Sequence, residues 1–317
     1  MPEKMRNRIA AIVATYNRKA LLKLCLDSLL AQSRPLDAIY VMDNASDDGT
    51  ANLVKTEYKN IVYLRNNENM GCSWANHELI KKAYEDGHEW IWIADDDAFF
   101  EANALENIVK FIGLAKNISA LACLKMGTDK QILINHAGFY DLRRMEQIPI
   151  PSAEYKKEII EVDYSSYVGT LISRRAVSLV GYPNKAFFMY GCDVEYSLRL
   201  KQVGKILVVA NSRVYHPTGL SQPYYRWDIR DFWKEYYHVR NLIYITKLYD
   251  KSVLFKYLIL PVMLVYRFMK MTVAILLRSH GYKILRIRTI LRGFYDGWLG
   301  KMGKRLDPAQ YLRQIKI

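Results

Sequence analysis

The sequence predicts an α/β fold, a mostly parallel sheet with helices on both faces, followed by a helical and strongly basic C-terminal region. Three observations carry this expectation. Short apolar runs of strand character alternate with helical periodicity through the first half of the chain. Several of those runs end in polar residues, which would line the strand ends along one rim. The positive charge is also uneven: residues 251–317 hold 14 Lys and Arg against Asp296 and Asp307, while the other 250 residues hold 32 basic and 30 acidic side chains. A tail of that kind points to a localised anionic partner rather than to a generally basic protein. With 317 residues, 51% of them hydrophobic, the chain can bury one large domain with an appendage, or two domains.

In order, Ile9–Ala14 reads as a strand, and Leu21, Leu22, Cys25, Leu29 and Leu30 then recur at near-helical spacing to Ala31. Ala38–Met42 is a second strand running into Asp43-Asn44-Ala45-Ser46-Asp47-Asp48-Gly49-Thr50, with a helix from Thr50 to Tyr58. Ile61–Leu64 is a third strand, and Asn66-Asn67-Glu68-Asn69-Met70-Gly71 opens a helix reaching Asp86. Trp90–Ala94 is the fourth strand. A helix is expected over Glu101–Leu114, with strands at Ser119–Lys125, Val168–Ser173 and Lys205–Ala210; residues 126–165 give no clear pattern. Asp193 begins an amphipathic helix. Beyond Asp231 the chain reads as helices, and Pro261 breaks the apolar run Tyr257–Tyr266. A membrane-crossing helix needs about 20 apolar residues, so apolar blocks interleaved with Lys and Arg favour a helix lying in a membrane interface. Cys25, Cys72, Cys123 and Cys192 form no CxxC pair and read as free thiols in a reducing compartment, and Met1–Arg6 has no apolar signal core.

The chemistry concentrates at Trp90-Ile91-Trp92-Ile93-Ala94-Asp95-Asp96-Asp97. A strand buried on both faces ends there in three carboxylates, where open α/β sheets place their ligand crevice. Three like charges repel unless a cation sits among them. Alternate residues of a tight turn point the same way, so Asp95 and Asp97 could share one Mg²⁺ or Mn²⁺ that keeps positions open for phosphate oxygens. A solvated acidic turn, or an acidic helix start, is the plainer alternative.

Four stretches in this order, Ala11–Arg18, Val41–Thr50, Asn69-Met70-Gly71 and Asp95-Asp96-Asp97, resemble the signatures of family 2 glycosyltransferases over residues 8–220. The wording from Trp90 to Ala98 is most similar to galactofuranosyltransferases, with rhamnosyltransferases of cell-surface glycans nearest to them. The resemblance implies a GT-A fold, a Rossmann-like sheet that binds a nucleotide-sugar, and transfer with inversion. It implies that Thr15, Tyr16, Asn17 and Arg18 line the nucleotide pocket with Asp43, Asn44, Asn69 and Gly71. It further implies that Asp95, Asp97 and His216 hold the metal and that Asp96 touches the ribose or sugar. Asp193 would be the general base, supported by Glu195. Cys192 stands where the family usually has another acid, a departure from its pattern. Trp74, Tyr190 and Trp227 are candidates for stacking on sugar faces, although core packing is the default setting for any one of them.

The expected domains are a catalytic domain over residues 1–225 and a membrane-associating region over 226–317. The expected partners are a nucleotide-sugar donor, UDP-galactofuranose before dTDP-rhamnose, a lipid-linked glycan acceptor and an anionic membrane surface at the cytoplasmic face, with self-association left open. Nucleic-acid binding is disfavoured because the basic excess lies beside apolar blocks and not on an aromatic platform. An isoprenoid-synthase reading fails because Phe99 and Phe100 stand where Asp-Asp-x-x-Asp needs its last acid. A non-catalytic membrane scaffold would keep the tail but would have little need for Asp95, Asp97, Asp193 and His216 together.

Overall fold

A computed structural model describes residues 7–113, 117–217 and 223–315. Met1–Arg6, and Leu114 at the end of the expected fourth helix, lie outside the described residues. The chain divides into two compact units, each taken by itself: Met1–Phe139, Gln147–Lys185 and Asp193–Gly219 form the first, and Tyr140–Glu146, Ala186–Cys192 and Leu220–Ile317 the second.

The first unit opens with strand–helix alternation: β1 (Ile9–Thr15), α1 (Lys19–Leu30), β2 (Ala38–Asp43), α2 (Thr50–Glu57), β3 (Val62–Arg65), α3 (Cys72–Glu85) and β4 (Trp90–Asp95). The chain continues with β5 (Phe99–Phe100), α4 (Ala104–Val109), β6 (Ile118–Gly127), β7 (Ala137–Asp141), β8 (Glu146–Pro149), β9 (Ile159–Val162), β10 (Tyr164–Ser165), β11 (Thr170–Ser173), α5 (Arg174–Val180), α6 (Cys192–Val203) and β12 (Lys205–His216), of which Tyr140, Asp141, Glu146 and Cys192 count with the second unit. The main sheet has the order β3-β2-β1-β4-β11-β6-β12-β5, with β9 also on β12; β10, β7 and β8 form a second, three-stranded sheet. Strands β1 to β4 are mutually parallel where they pair, as alternation with helices requires. Strand β11 runs antiparallel to both neighbours, and β6 and β12 are parallel again.

Why α1 packs where it does follows from its spacing. Leu22, Cys25, Leu26 and Leu29 repeat at i, i+3, i+4 and i+7 and are fully buried in the same core as Trp90, Trp92 and Ala94 of β4. Trp92 is wholly enclosed there, and its truncation to Ala would cost about 3–5 kcal/mol. Three expectations need correction. The helix expected over 101–114 is only Ala104–Val109, because Phe99 and Phe100 pair with β12 and a turn from Glu101 must close first. The strand expected from Val168 starts at Thr170, after Gly169 takes a left-handed φ of 71°. Strand β12 does not stop at Ala210 but continues to His216 through a register break between Val209 and Arg213. Ser212 secures that break, donating from its hydroxyl to the Ala104 carbonyl at 2.8 Å, and Leu207, Val209 and Val214 all enter one core.

The second unit holds α7 (Trp233–Tyr249), a π-type turn (Phe255–Ile259) leading into α8 (Leu260–Arg278), and α9 (Lys283–Leu299). Pro261 does not break the apolar run: the π-type turn Phe255–Ile259 passes into α8 just ahead of it without a gap, where the regular i to i−4 pattern is already interrupted. Phe255–Arg278 is consequently one helix, long and apolar enough by length and composition to cross a membrane. Helices α7 and α9 approach at backbone distance through Gly293 and Gly297, where an added Cβ would lie 2.9 Å from the Tyr236 carbonyl oxygen and 2.7 Å from that of Arg240. Arg240, fully buried, donates to the carbonyls of Phe187 and Gly303 and to Asn241 Oδ1.

Candidate active site

The parallel registers set Thr15 opposite Asp43, Asp43 opposite Arg65, and Ala14 opposite Asp95. The loops after β1, β2, β3 and β4 therefore open along one rim. Asp95 ends β4, and the Ala98 N–H donates back to its carbonyl at 3.1 Å, making the tight turn that separates the three carboxylates. Strand β5 then pairs with β12, Phe99 with Tyr215 and Phe100 with Val214, which brings His216 level with the turn. His216 Nε2 lies 2.9 Å from Asp97 Oδ1 and 3.9 Å from Asp95 Oδ2. One ligand atom from each of Asp95, Asp97 and His216 falls within 4.8 Å of the others. Two carboxylates and one imidazole with this spacing fit a divalent cation such as Mn²⁺ or Mg²⁺.

The middle carboxylate turns elsewhere. Asp96 accepts from the Thr15 hydroxyl at 2.7 Å and from Arg18 at 3.1 Å, and the same Arg18 nitrogen reaches Asp97 Oδ2 at 2.6 Å. Burial pushes the Asp95 carboxyl up to about 7, with His216 opposing and Asp97, Asp96 and Asp193 adding to the rise. Burial also raises Asp96 against the pull of Arg18. Burial would raise Asp97 too, but the His216 hydrogen bond and charge, with Arg18, hold it below the usual range. His216 moves up despite burial because Asp97 and Asp95 face it. Crowded, partly desolvated acids beside a cationic partner mark a site built to receive further positive charge.

Asp193 is the second residue of α6, and its carboxylate accepts from the Val194 N–H at 2.9 Å. Burial raises its pKa, with that N–H and the charge of Lys125 opposing. Lys125 escaped the sequence reading. It is 2% exposed on β6, donates to the Ser165 hydroxyl at 2.5 Å, and burial pushes it down to about 8 while Asp193 and Asp95 pull it up. A lysine inside the otherwise apolar run Ala120–Met126 was the available signal. Ser165 in turn shares a 2.8 Å hydrogen bond with Thr170. His136 was missed as well: its Nδ1 is 3.1 Å from Ser166 Oγ, its ring centroid 5.4 Å from that of His216, and burial lowers it to about 4.

The remaining candidates spread over several settings. Tyr16 is exposed, whereas Asn17, at φ 52°, accepts from the Asp47 N–H and donates its own N–H to Ser46, locking the first two rim loops together. Asp43 is fully buried, its carboxylate engaged by Tyr63, Arg65 and the Ser46 N–H, and Asn44 accepts from Asn66. Those two side chains fix the β2 loop from beneath. Asn69 accepts from the Gly71 N–H at 2.9 Å, and Gly71 has φ 84° before α3 begins. Trp74 lines a surface cleft with Asn66 and Arg65. Glu195 is not gathered with Asp193: it forms a two-pronged pair with Arg199, at 2.8 and 2.9 Å, inside α6. Tyr190 and Trp227 belong to the C-terminal unit, where the Trp227 carbonyl accepts from Arg286.

Comparison with known proteins adds to this geometry. The profile of the family described as Glycosyl transferase family 2 matches residues 10–178. The chain is 26% identical over 219 residues to galactofuranosyltransferase GlfT1 of Mycolicibacterium smegmatis, covering 68% of this chain and 72% of that one. It is 25% identical over 236 residues to the N-acetylglucosaminyl-diphospho-decaprenol L-rhamnosyltransferase of Mycobacterium tuberculosis, covering 67% and 76%. Among solved structures, GalNAc-T7 with UDP, GalNAc and Mn²⁺ superposes with a TM-score of 0.59 at 14% identity, over 79% of this chain and 49% of that one. That likeness concerns the fold.

Proposed function

Because the chain belongs to glycosyl transferase family 2, we propose that this glycosyltransferase works with inversion and a divalent metal, moving a hexosyl group from a nucleoside-diphosphate sugar to a lipid-linked glycan. The observation that carries the reading is the Asp95, Asp97 and His216 cluster on the same rim as Thr15 and Arg18, electrostatically linked to Asp193. In the reaction, Asp193 takes the proton of the acceptor hydroxyl as that oxygen attacks the anomeric carbon. The bond from that carbon to the diphosphate oxygen breaks, and the nucleoside diphosphate leaves. Its raised pKa makes Asp193 a stronger base than an exposed carboxylate, and the charge of Lys125 opposes that rise. A Mn²⁺ or Mg²⁺ held by Asp95, Asp97 and His216 would neutralise the charge developing on the leaving group. Arg18 and Thr15 hold Asp96 in place against the repulsion of its neighbours. Tyr16, Asn17 and Gly71 shape the nucleotide pocket, with Asp43, Asn44 and Asn69 as its foundation.

UDP-galactofuranose is the first donor, supported by the similarity to GlfT1, and dTDP-rhamnose the second, supported by the rhamnosyltransferase relative. The name of that relative also supports an acceptor carried on a polyprenyl diphosphate. Residues 1–225 are then the catalytic domain and 226–317 a membrane-associating region at the inner face of the cell membrane. Exposed Val262, Val265, Met269, Val273 and Leu277 on α8 and the basic excess of the tail support interfacial binding. Calorimetric titration with UDP, dTDP and GDP, each with and without Mn²⁺, tests the reading. Mn²⁺-dependent binding of UDP, lost in Asp97→Ala, is expected; a preference for dTDP moves the donor to rhamnose. No nucleotide binding under any condition would leave a membrane scaffold instead. Asp193→Asn should abolish transfer while sparing donor affinity, and near-normal turnover would remove Asp193 as the base.

A further inference from the structure

We propose that a cavity inside the C-terminal unit seats an isoprenoid diphosphate, the carrier portion of the acceptor; this rests on the reading that the acceptor is lipid-linked. The cavity, about 360 Å³, has apolar walls that include Met145, Val239, Leu242, Met263, Met271 and Phe294. That volume lies in the range of small-molecule sites, lined as they are by apolar side chains with few polar groups. Three methionines line it, and their unbranched thioethers adapt to an irregular, branched chain.

The same cavity is bordered by Arg144, Arg267 and Lys270. Arg267 and Lys270 stand three residues apart on α8, so they share one face of a helix that contains no acidic residue. Arg267 donates to the Arg144 carbonyl at 3.3 Å, and among the described residues neither Arg267 nor Lys270 has a carboxylate within 4 Å. Arg144 has Asp141 at 3.6 Å. Two acids also line the cavity, Glu146 and Glu235, the latter buried with His238 Nδ1 at 3.5 Å. Arg144, Arg267 and Lys270 against Glu146 and Glu235 leave one positive charge in excess, and the two cations without a close carboxylate stand on α8. Two neighbouring cations without counter-charge repel each other, and a diphosphate bridging them removes that repulsion. A cavity with apolar walls beside Arg267 and Lys270 matches one chain ending in a diphosphate. A two-chain phospholipid is a poorer match to a single cavity, and a sugar would leave the methionine walls without partners. The exposed apolar face of α8, with Val262, Val265, Tyr266 and Met269, continues from the cavity for the part of a long chain that it cannot hold.

The test uses the full chain in EDTA, which keeps divalent cations away from Asp95, Asp97 and His216. Farnesyl diphosphate is titrated by calorimetry beside farnesol, inorganic pyrophosphate and phosphatidylglycerol vesicles. Farnesyl diphosphate should bind at least tenfold more tightly than farnesol or pyrophosphate. The double variant Arg267→Ala/Lys270→Ala should weaken it at least tenfold, and Met263→Trp, which fills the cavity, should do the same. Mn²⁺-dependent UDP binding measured on each variant reports that the protein is folded. Equal affinity for pyrophosphate and farnesyl diphosphate, full displacement by the vesicles, or unchanged binding in both folded variants would each overturn the assignment. UDP binding without farnesyl diphosphate binding removes the cavity and leaves the transferase reading standing. Farnesyl diphosphate binding without any UDP binding sustains the cavity and removes the transferase reading.

Discussion

Replacing Gly297 by Ala sets two effects of similar size against each other, and the geometry decides between them. In an exposed helix interior, Gly→Ala stabilises by about 1 kcal/mol because it restricts the unfolded chain. At Gly297 the new Cβ would stand 2.7 Å from the Arg240 carbonyl oxygen, 3.0 Å from the Arg240 Cα and 3.1 Å from the Ile243 Cβ. Carbon–oxygen contacts between packed helices normally lie at about 3.3–3.6 Å, so α7 and α9 must part by roughly 0.6 Å or more. Forced overpacking costs about 1–3 kcal/mol, and a gap of that size also forfeits dispersion along the seam, where Tyr236, Val239 and Ile243 are buried. The expected net is destabilisation by about 1–2 kcal/mol. Gly293→Ala, whose nearest contacts are 2.9, 3.4 and 3.5 Å, should fall close to zero. Urea unfolding of the full chain, followed by near-ultraviolet circular dichroism and compared at constant slope, measures both. A Gly297→Ala protein more stable than the parent, or an inverted order of the two variants, would refute the close approach of α7 and α9.

Other outcomes are as specific. Lys125→Met keeps the length of the side chain while removing the cation that opposes the raised pKa of Asp193; the acidic limb of the kcat/KM profile against pH should move upward, and an unmoved limb would separate Lys125 from the base. His136 titrates at about 4 in the folded protein, below its ordinary 6.5. The unfolded chain therefore takes up that proton first as pH falls, so stability drops from pH 6.5 down to about 4, by up to about 3 kcal/mol. His136→Gln should flatten this slope in urea titrations across the same interval, and an identical slope would show that another group carries it. Neutralising exposed Lys251 and Arg288 to Gln should weaken binding to phosphatidylglycerol vesicles by roughly tenfold or more, at about 1 kcal/mol per basic residue; unchanged partitioning would sink the tail as a membrane contact.

What could be read in the sequence was whatever local pattern fixes. The apolar run ending in Asp95-Asp96-Asp97 announced a buried strand and its rim, and the periodicity of Leu22, Cys25 and Leu29 announced the helix that covers it. Long-range pairing was not legible. Nothing local in Thr170–Ser173 says that β11 runs against its neighbours. The pairing of Phe99 and Phe100 with β12, which cut the fourth helix short, joins residues more than a hundred positions apart. Within the site, His216 came from the resemblance to the family, whereas Lys125 and His136 acquire meaning only once the sheet gathers them around Asp193 and Asp97. Pro261 misled for a different reason: a proline usually breaks a helix interior, but here it follows a π-type turn where the regular pattern is already interrupted, and the helix continues. The segments Tyr140–Glu146 and Ala186–Cys192 join a unit built mostly from residues beyond 220, a membership set by contacts and not by composition.

The break in β12 makes segment length a matter of odd and even. Before it, the residues entering the shared core are Leu207 and Val209; after it, Val214 takes that direction, and His216 follows Val214. Ala210, Asn211 and Ser212 are the excess, because Val209 and Arg213 lie opposite adjacent partners, Cys123 and Leu124. Side chains alternate along a strand, so an odd surplus reverses which set looks inward. Where the pairing of Arg213–His216 with β6 slips to take up a lost residue, loss of Asn211 alone would turn the imidazole to the far side of the sheet and take one ligand from the metal cluster, and a slip of two would restore its direction. Where the break itself absorbs the change, the pairing and the ligand stay in place.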